Sequence, residues 1–127
     1  MTPQLEKILI VDDEATIRRL LRQKLSGEGF QCQEAGNAEQ ALEQLRKGAF
    51  GLMILDNKMP GKSGIELLPE LRTSYPEMAV IMATATTDIG IAIECMKQGA
   101  YDYIPKPFNL EEVVLSVNRA IEKRRLV

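Results

Sequence analysis

Short apolar runs alternate with amphipathic stretches along the whole chain. The first apolar run covers residues 7–11, and the stretch over 14–26 then carries four apolar residues at the spacing of one helical face. Those four residues are Ile17, Leu20, Leu21 and Leu25. The same alternation predicts further strands over 30–35, 51–55, 79–83 and 102–104, and further helices over 37–47, 65–73, 88–98 and 110–124. Five strand–helix units are therefore expected.

The apolar positions of the last two helices predict which of their faces are buried. In the fourth helix, the buried stripe is expected to contain Ile89, Ala92, Ile93 and Met96, with Ile91 and Cys95 facing outward. In the fifth helix, it is expected to contain Leu110, Val113, Val114, Val117 and Ile121, with Leu115 outside it. Asn37 is the predicted N-cap of the second helix, and Thr87 or Asp88 that of the fourth.

Strands that alternate with helices are typical of an α/β fold, in which a parallel sheet is covered on both faces. No linker or low-complexity segment interrupts the pattern, so residues 1–127 are expected to form one domain around a doubly wound, five-stranded parallel sheet. In open sheets of this kind, ligand sites lie beyond the carboxyl ends of the strands. Functional residues are therefore expected at that edge.

Three carboxylates stand at this edge of the predicted sheet. Asp12 and Asp13 directly follow the first strand, and Asp56 follows the third. If those two strands are neighbours, the three acidic groups lie together, where like charges repel unless a cation joins them. Thr84, after the fourth strand, and Lys106, after the fifth, add a hydroxyl and an ammonium group. The grouping indicates a site that needs a cation.

Composition narrows the possible chemistry. The 127 residues are 45% hydrophobic and 27% charged, with a formal net charge of -2, so no general attraction to nucleic acid or acidic membranes is expected. The chain has no apolar run of roughly 18 residues and no N-terminal signal segment, which predicts a cytoplasmic protein. The absence of histidine excludes Ser-His-Asp and Cys-His nucleophiles and histidine zinc sites. Cys32 and Cys95 are expected to be buried, reduced thiols.

Five motifs, in this order and spacing, resemble the receiver domain of two-component response regulators. They are Val11-Asp12-Asp13-Glu14, Leu55-Asp56, Met59-Pro60-Gly61, Thr84-Ala85 and Tyr103-Ile104-Pro105-Lys106-Pro107-Phe108. The resemblance covers the whole chain and implies a flavodoxin-like fold with the strand order 2-1-3-4-5. Asn57 departs from the family's pattern, because an apolar residue usually follows the acidic residue that matches Asp56.

The resemblance implies a role for each residue at the sheet edge. Asp56 would accept a phosphoryl group from a partner histidine kinase, in a reaction that requires Mg²⁺. The implied magnesium ligands are Asp12, Asp13, Asp56 and the backbone carbonyl of Lys58. Lys106 would pair with one phosphoryl oxygen, and the Thr84 hydroxyl would donate to another. The domain would catalyse only its own phosphotransfer and dephosphorylation, so it is not expected to be an enzyme.

The resemblance also implies a switch and a set of partners. Thr84 would move toward the phosphoryl group, and Tyr103 would rotate into the space behind it, which would remodel the surface of the fourth helix, fifth strand and fifth helix. The expected partners are a sensor histidine kinase or phosphotransfer protein and an output domain, with a linker helix beginning within residues 120–127. A homodimer through the same surface is a further expectation, whereas direct binding to nucleic acid or membranes is not.

Each of these residues also has an ordinary structural interpretation. Asp12 and Asp13 would suit helix N-caps, and Asp56 would suit the start of a turn. Thr84 would suit a strand end, Lys106 a solvated loop, and Tyr103 a static, half-buried position. Two other functions are open at this point: a receiver-shaped interaction module that is never phosphorylated, and a flavodoxin-like module that binds a cofactor.

Overall fold

The computed structural model describes residues 6–85 and 88–125, which form one parallel sheet with helices on both faces. The strands are Lys7–Val11 (β1), Gln31–Ala35 (β2), Leu52–Leu55 (β3), Ala79–Thr84 (β4) and Asp102–Pro105 (β5). The helices are Ala15–Gly27 (α1), Ala38–Lys47 (α2), Gly64–Ser74 (α3), Ile89–Lys97 (α4) and Leu110–Arg125 (α5). The strand order β2-β1-β3-β4-β5 confirms the predicted fold class and the order that the resemblance implies.

The sheet is buried on both faces because alternate side chains of each strand enter different helix layers. In β1, Leu9 and Val11 pack toward α2, α3 and α4, whereas Ile8 and Ile10 pack toward α1 and α5. The strand order reverses between β1 and β3, and crevices at such reversals are where ligands bind in open α/β sheets. The carboxyl ends of β1 and β3 are therefore the expected location of a site.

The predicted helix caps are confirmed where the structure describes them. The Asn37 side chain accepts a hydrogen bond of 2.8 Å from the Gln40 backbone N–H at the start of α2. The Asp88 side chain likewise accepts from the Gly90 N–H at the start of α4, while Thr87 lies outside the described residues. A side-chain acceptor at this position satisfies one of the N–H groups that a helix start leaves without a partner.

The predicted buried face of α4 is wrong. Ile89, Ile93 and Met96 are 76%, 51% and 45% exposed, and Ala92 is half-buried. Cys95 is instead fully buried, and Ile91 packs against the core. Apolar residues occupy both faces of this helix, so their spacing favours neither face, and packing against the sheet decides the orientation. An apolar stripe is consequently exposed on α4.

The predicted face of α5 is confirmed, and that of α1 holds for three of its four residues. The α5 stripe packs against the core, and Leu115 is exposed. In α1, Leu21 and Leu25 are buried and Ile17 packs against them, but Leu20 is exposed. One residue corresponds to a rotation of about 100° around a helix, which places Leu20 beside the stripe.

The structure also describes the state of the two cysteines and the length of the apolar helices. Cys32 and Cys95 are both free, as expected, but Cys32 is only half-buried, so full burial holds for Cys95 alone. None of the described helices is both long and apolar enough to cross a lipid bilayer.

Candidate functional site

The backbone of the sheet brings two of the predicted carboxylates side by side. Val11 is the register partner of Leu55, and the Asp56 N–H donates to the Val11 carbonyl over 2.9 Å. The next residue of each strand therefore lies at the same height, and both Asp12 and Asp56 are almost completely buried. Asp13 is exposed beside them, and an oxygen of each carboxylate lies within 4.8 Å of the others. The structure thus assembles the predicted acidic cluster.

Lys106 enters this cluster from the end of β5, across the end of β4. Its backbone N–H donates to the Thr84 carbonyl over 2.8 Å, which continues the pairing of β4 with β5. Its ammonium nitrogen lies 2.6 Å from Asp12 Oδ2 and 3.4 Å from Asp56 Oδ2, with Glu14 Oε1 at 3.7 Å. The peptide bond between Lys106 and Pro107 is cis. Lys106 is therefore part of the site, and the solvated-loop interpretation does not hold.

Burial and the hydrogen bond between Lys106 and Asp12 shift the pKa values of these two groups in opposite directions. Burial raises the pKa of Asp12, and the nearby Asp56 carboxylate adds to the rise, while the hydrogen bond from Lys106 opposes it. Burial alone would lower the pKa of Lys106, but its hydrogen bond to Asp12 and the charges of both carboxylates more than offset this and raise it. Lys106 is therefore protonated at neutral pH. One ammonium group then faces two buried carboxylates, so the cluster favours an additional cation.

A helix cap does not account for Asp12. Its Oδ1 accepts from the Glu14 N–H over 2.9 Å, but Glu14 is itself the N-cap of α1 and forms no side-chain cap. The other oxygen of Asp12 is bound to Lys106. Arg18 lies off the apolar face of α1 and adds a contact that the sequence pattern does not indicate. Its Nη1 donates to the Asp12 carbonyl over 2.6 Å, and its Nε binds Glu34 at 3.1 Å.

Thr84 is the last residue of β4 and is fully buried. Among the described residues, its hydroxyl oxygen is the one buried side-chain polar atom that lacks a hydrogen-bond partner. Buried hydroxyl groups are nearly always hydrogen-bonded, so the Thr84 hydroxyl is available to a further hydrogen-bond partner at the end of β4.

Tyr103 lies in the same layer as Thr84. It is the register partner of Met82, and residues 82 and 84 of one strand face the same side of the sheet. The side chain is half-buried and packs against the core cluster that contains Cys95. Burial is the main cause that raises the pKa of its hydroxyl, with smaller contributions from Cys95 and Asp56. Tyr103 is thus adjacent to the site, as predicted.

The loop after β3 approaches the helix that follows it very closely. The Lys58 N–H donates to Asp56 Oδ1 over 3.3 Å, and Asn57 is buried. A Cβ atom on Gly64, the first residue of α3, would lie under 3.0 Å from the Asp56 carbonyl oxygen. Sequence reasoning missed Gly64, because nothing in the local pattern shows which backbone it meets. Asn57, in contrast, is noticeable in the sequence as a second polar residue directly after the apolar run of β3.

Comparison with known proteins agrees with this geometry. The sequence model described as "Response regulator receiver domain" matches residues 8–118. The chain belongs to the response regulator receiver domain family. This receiver domain is 38% identical over 114 residues to the DNA-binding transcriptional regulator NtrC of Escherichia coli K12, covering 90% of the chain. It is 36% identical over 120 residues to the C4-dicarboxylate transport transcriptional regulatory protein DctD of Rhizobium meliloti, covering 94% of it.

Those relatives are much longer than the receiver domain. It spans 24% of NtrC and 26% of DctD, or about a quarter of each. Among solved structures, it resembles a CheY-like receiver domain protein from Methanospirillum hungatei, with a TM-score of 0.92, 30% identity, and coverage of 96% and 98% of the two chains. NtrX from Brucella abortus in complex with ADP gives a TM-score of 0.91 and 36% identity over 97% of this chain and 28% of that one.

Proposed function

We propose that this receiver domain accepts a phosphoryl group on Asp56 in a Mg²⁺-dependent reaction of two-component signalling. The observation that carries the proposal is the arrangement of Asp12, Asp56 and Lys106, in which one ammonium group contacts two buried carboxylates. The third carboxylate, on Asp13, lies at the exposed rim of the same cluster. Such a cluster destabilises the free domain through repulsion and is suited to binding a cation and a phosphoryl group.

The donor atoms suit magnesium. Mg²⁺ prefers oxygen ligands and keeps several waters, so a few carboxylates at a partly open surface match its requirements better than a closed nitrogen or sulfur site would. Asp12, Asp13 and Asp56 would hold the ion together with the main-chain carbonyl of Lys58. The bound ion would neutralise negative charge while the phosphoryl group is transferred.

The chain's own residues supply the remaining chemistry. An Asp56 carboxylate oxygen attacks phosphorus and forms the acyl phosphate, while the bond from phosphorus to the kinase's histidine nitrogen breaks and its electron pair stays on that nitrogen. Lys106 pairs with a phosphoryl oxygen and stabilises its negative charge, because its ammonium already lies 3.4 Å from Asp56 Oδ2. Thr84 gains the hydrogen-bond partner that its buried hydroxyl lacks among the described residues. The domain performs only its own phosphotransfer and dephosphorylation.

The switch follows from the change of charge at Asp56. The phosphoryl group carries roughly -1.5 to -2 charges and new acceptor oxygens, which draw Thr84 toward it. Tyr103 shares a layer with Thr84, so its side chain moves into the space that Thr84 vacates. That movement reaches the surface of α4, β5 and α5, where Ile89 and Ile93 are exposed. The site is thereby coupled to a surface that can bind a partner.

The names and lengths of the relatives support the proposed partners. NtrC and DctD are named as transcriptional regulators and are about four times as long as the matched segment, which supports an output domain beyond the receiver domain. A sensor histidine kinase or phosphotransfer protein would supply the phosphoryl group. The α4–β5–α5 surface would carry the signal to the output domain, or to a second copy in a homodimer.

Phosphorylation is tested by intact-mass spectrometry after incubation with Mg²⁺ and acetyl phosphate. The native chain is expected to gain the mass of one phosphoryl group, and Asp56→Asn to gain none. Asp88→Asn is the matched control, because asparagine caps a helix as well as aspartate does and Asp88 caps α4, outside the acidic cluster. No adduct on the native chain, or an equal adduct on Asp56→Asn, would contradict the proposal. The first result would favour an interaction module that is never phosphorylated.

A further inference from the structure

Asn57 is a buried polar residue next to Asp56. It is only 7% exposed. Burying an amide is costly unless its hydrogen bonds are made. The contacts of Asn57 therefore need a physical explanation.

Two of the first three N–H groups of α3 are bound by Asn57. The Gly64 N–H donates to its main-chain carbonyl over 3.0 Å, and the Ile65 N–H donates to its side-chain Oδ1 over 2.9 Å. The third, on Glu66, donates to Ser63 Oγ over 3.3 Å. The start of α3 thus has two separate caps, one from the loop that carries Asp56 and one from its own N-cap residue.

The peptide group between Asn57 and Lys58 is held at both ends. Its carbonyl oxygen accepts from Gly64, and its N–H donates to Asp56 Oδ1 over 3.3 Å. The Asn57 side chain adds a second attachment to α3, through the Ile65 N–H. Helix α3 is a firm base for this loop, because its inner leucines are fully buried.

We propose that Asn57 is a positioning residue, whose side-chain bond to Ile65 holds the Asp56–Lys58 loop in the orientation needed for Mg²⁺. The inference rests on the proposed function, since it assumes that Asp56 and the Lys58 carbonyl hold the ion. Leucine at position 57 would fill a similar volume but accept no hydrogen bond from Ile65. Aspartate would keep the acceptor. Groups that orient metal ligands typically change metal affinity by about 10- to 100-fold when they are removed.

The test measures Mg²⁺ affinity from amide chemical shifts in an NMR titration of the metal-free domain, with urea unfolding measured in parallel. Asn57→Leu is expected to weaken Mg²⁺ binding roughly tenfold, at the lower end of that range. Asn57→Asp is expected to bind Mg²⁺ no more weakly than the native chain. Ser63→Ala is the matched control, since it removes the other cap of α3 without touching the loop; it is expected to unfold at lower urea and keep its Mg²⁺ affinity.

Equal Mg²⁺ affinity in Asn57→Leu and Ser63→Ala would overturn the inference and leave Asn57 as a helix cap alone. Binding by Asn57→Asp as weak as that of Asn57→Leu would also overturn it. If the leucine variant does not fold, Asn57→Ala takes its place with the same expected loss. A native domain that binds no Mg²⁺ would instead contradict the proposed function, so the two failures are distinguishable.

Discussion

Gly64→Ala should separate α3 from the loop that carries Asp56. The new Cβ would lie under 3.0 Å from the Asp56 carbonyl oxygen and 3.0 Å from Asn57 Cα, and Cβ atoms essentially never approach below 3.0 Å. The atoms it meets all belong to the backbone, so no side-chain rotation can relieve the contact. Either the helix start or the Asp56 loop must move. The substitution therefore tests the close approach on which the site depends.

The expected cost is that of overpacking. Forcing extra carbon into a packed region typically costs about 1–3 kcal/mol, and the better helix propensity of alanine offsets at most about 1 kcal/mol of it. Because the contact is with backbone atoms, the cost lies near the upper end of that range. A net loss of about 2 kcal/mol, with a urea slope of about 2 kcal/mol per molar, lowers the unfolding midpoint by about 1 M. Circular dichroism during urea titration measures this shift. A movement of the Asp56 loop would lower Mg²⁺ affinity as well, whereas a movement of the helix start alone would not.

Gly27→Ala is the matched control for Gly64→Ala. Gly27 ends α1, and nothing lies within 4 Å of a Cβ placed there. The substitution should leave stability unchanged or raise it by up to about 1 kcal/mol. If Gly64→Ala unfolds at the same urea concentration as Gly27→Ala, the close approach of α3 to Asp56 is not a tight contact, and the reasoning is refuted.

Three further predictions concern the cluster itself. Lys106→Met should lower the free energy of unfolding by about 3 kcal/mol, because it leaves the buried carboxylates of Asp12 and Asp56 without a countercharge; an unchanged urea midpoint would contradict this. Thr84→Val should be neutral or raise the thermal midpoint, since it removes a buried hydroxyl that has no partner among the described residues; a marked fall would show that the hydroxyl is bonded in the free domain. The pKa of Asp12 is raised by burial, so the folded state holds the Asp12 proton more tightly than the unfolded state does. Without metal, the stability that this proton contributes is therefore full below pH about 3.8, and it should be lost as pH rises through the folded-state pKa. Asp12→Asn should remove that part of the pH dependence, and identical pH profiles of unfolding would count against it.

The sheet and the site could both be predicted from sequence, because the same apolar strands define the sheet and mark where its polar edge begins. A parallel strand buried on both faces is apolar along its whole length, so each strand end is marked by the first polar residue. That marking predicts Asp12 and Asp56 at one edge of the sheet. Lys106 and Thr84 followed from the same argument applied to the last two strands. The pairing of β1 with β3 then determined that the two carboxylates meet.

The parts that could not be predicted depend on contacts between distant residues. The outward face of α4 was assigned inward because its apolar residues surround the helix, and only the packing of Cys95 against the sheet distinguishes the faces. The close approach at Gly64 depends on how the loop after β3 folds back onto α3. Arg18 lies off the apolar face of α1, and only the folded chain brings it to the Asp12 carbonyl. None of these contacts leaves a periodic signal in the chain.

The measurement that tests the central claim most directly is the location of the phosphoryl group. The native domain is incubated with acetyl phosphate in the presence of Mg²⁺ or of EDTA, and the modified peptide is identified by mass spectrometry. A single phosphoryl group on the peptide that contains Asp56, formed with Mg²⁺ and absent with EDTA, is the predicted result. A phosphoryl group on another residue, or equal modification in EDTA, would contradict the account.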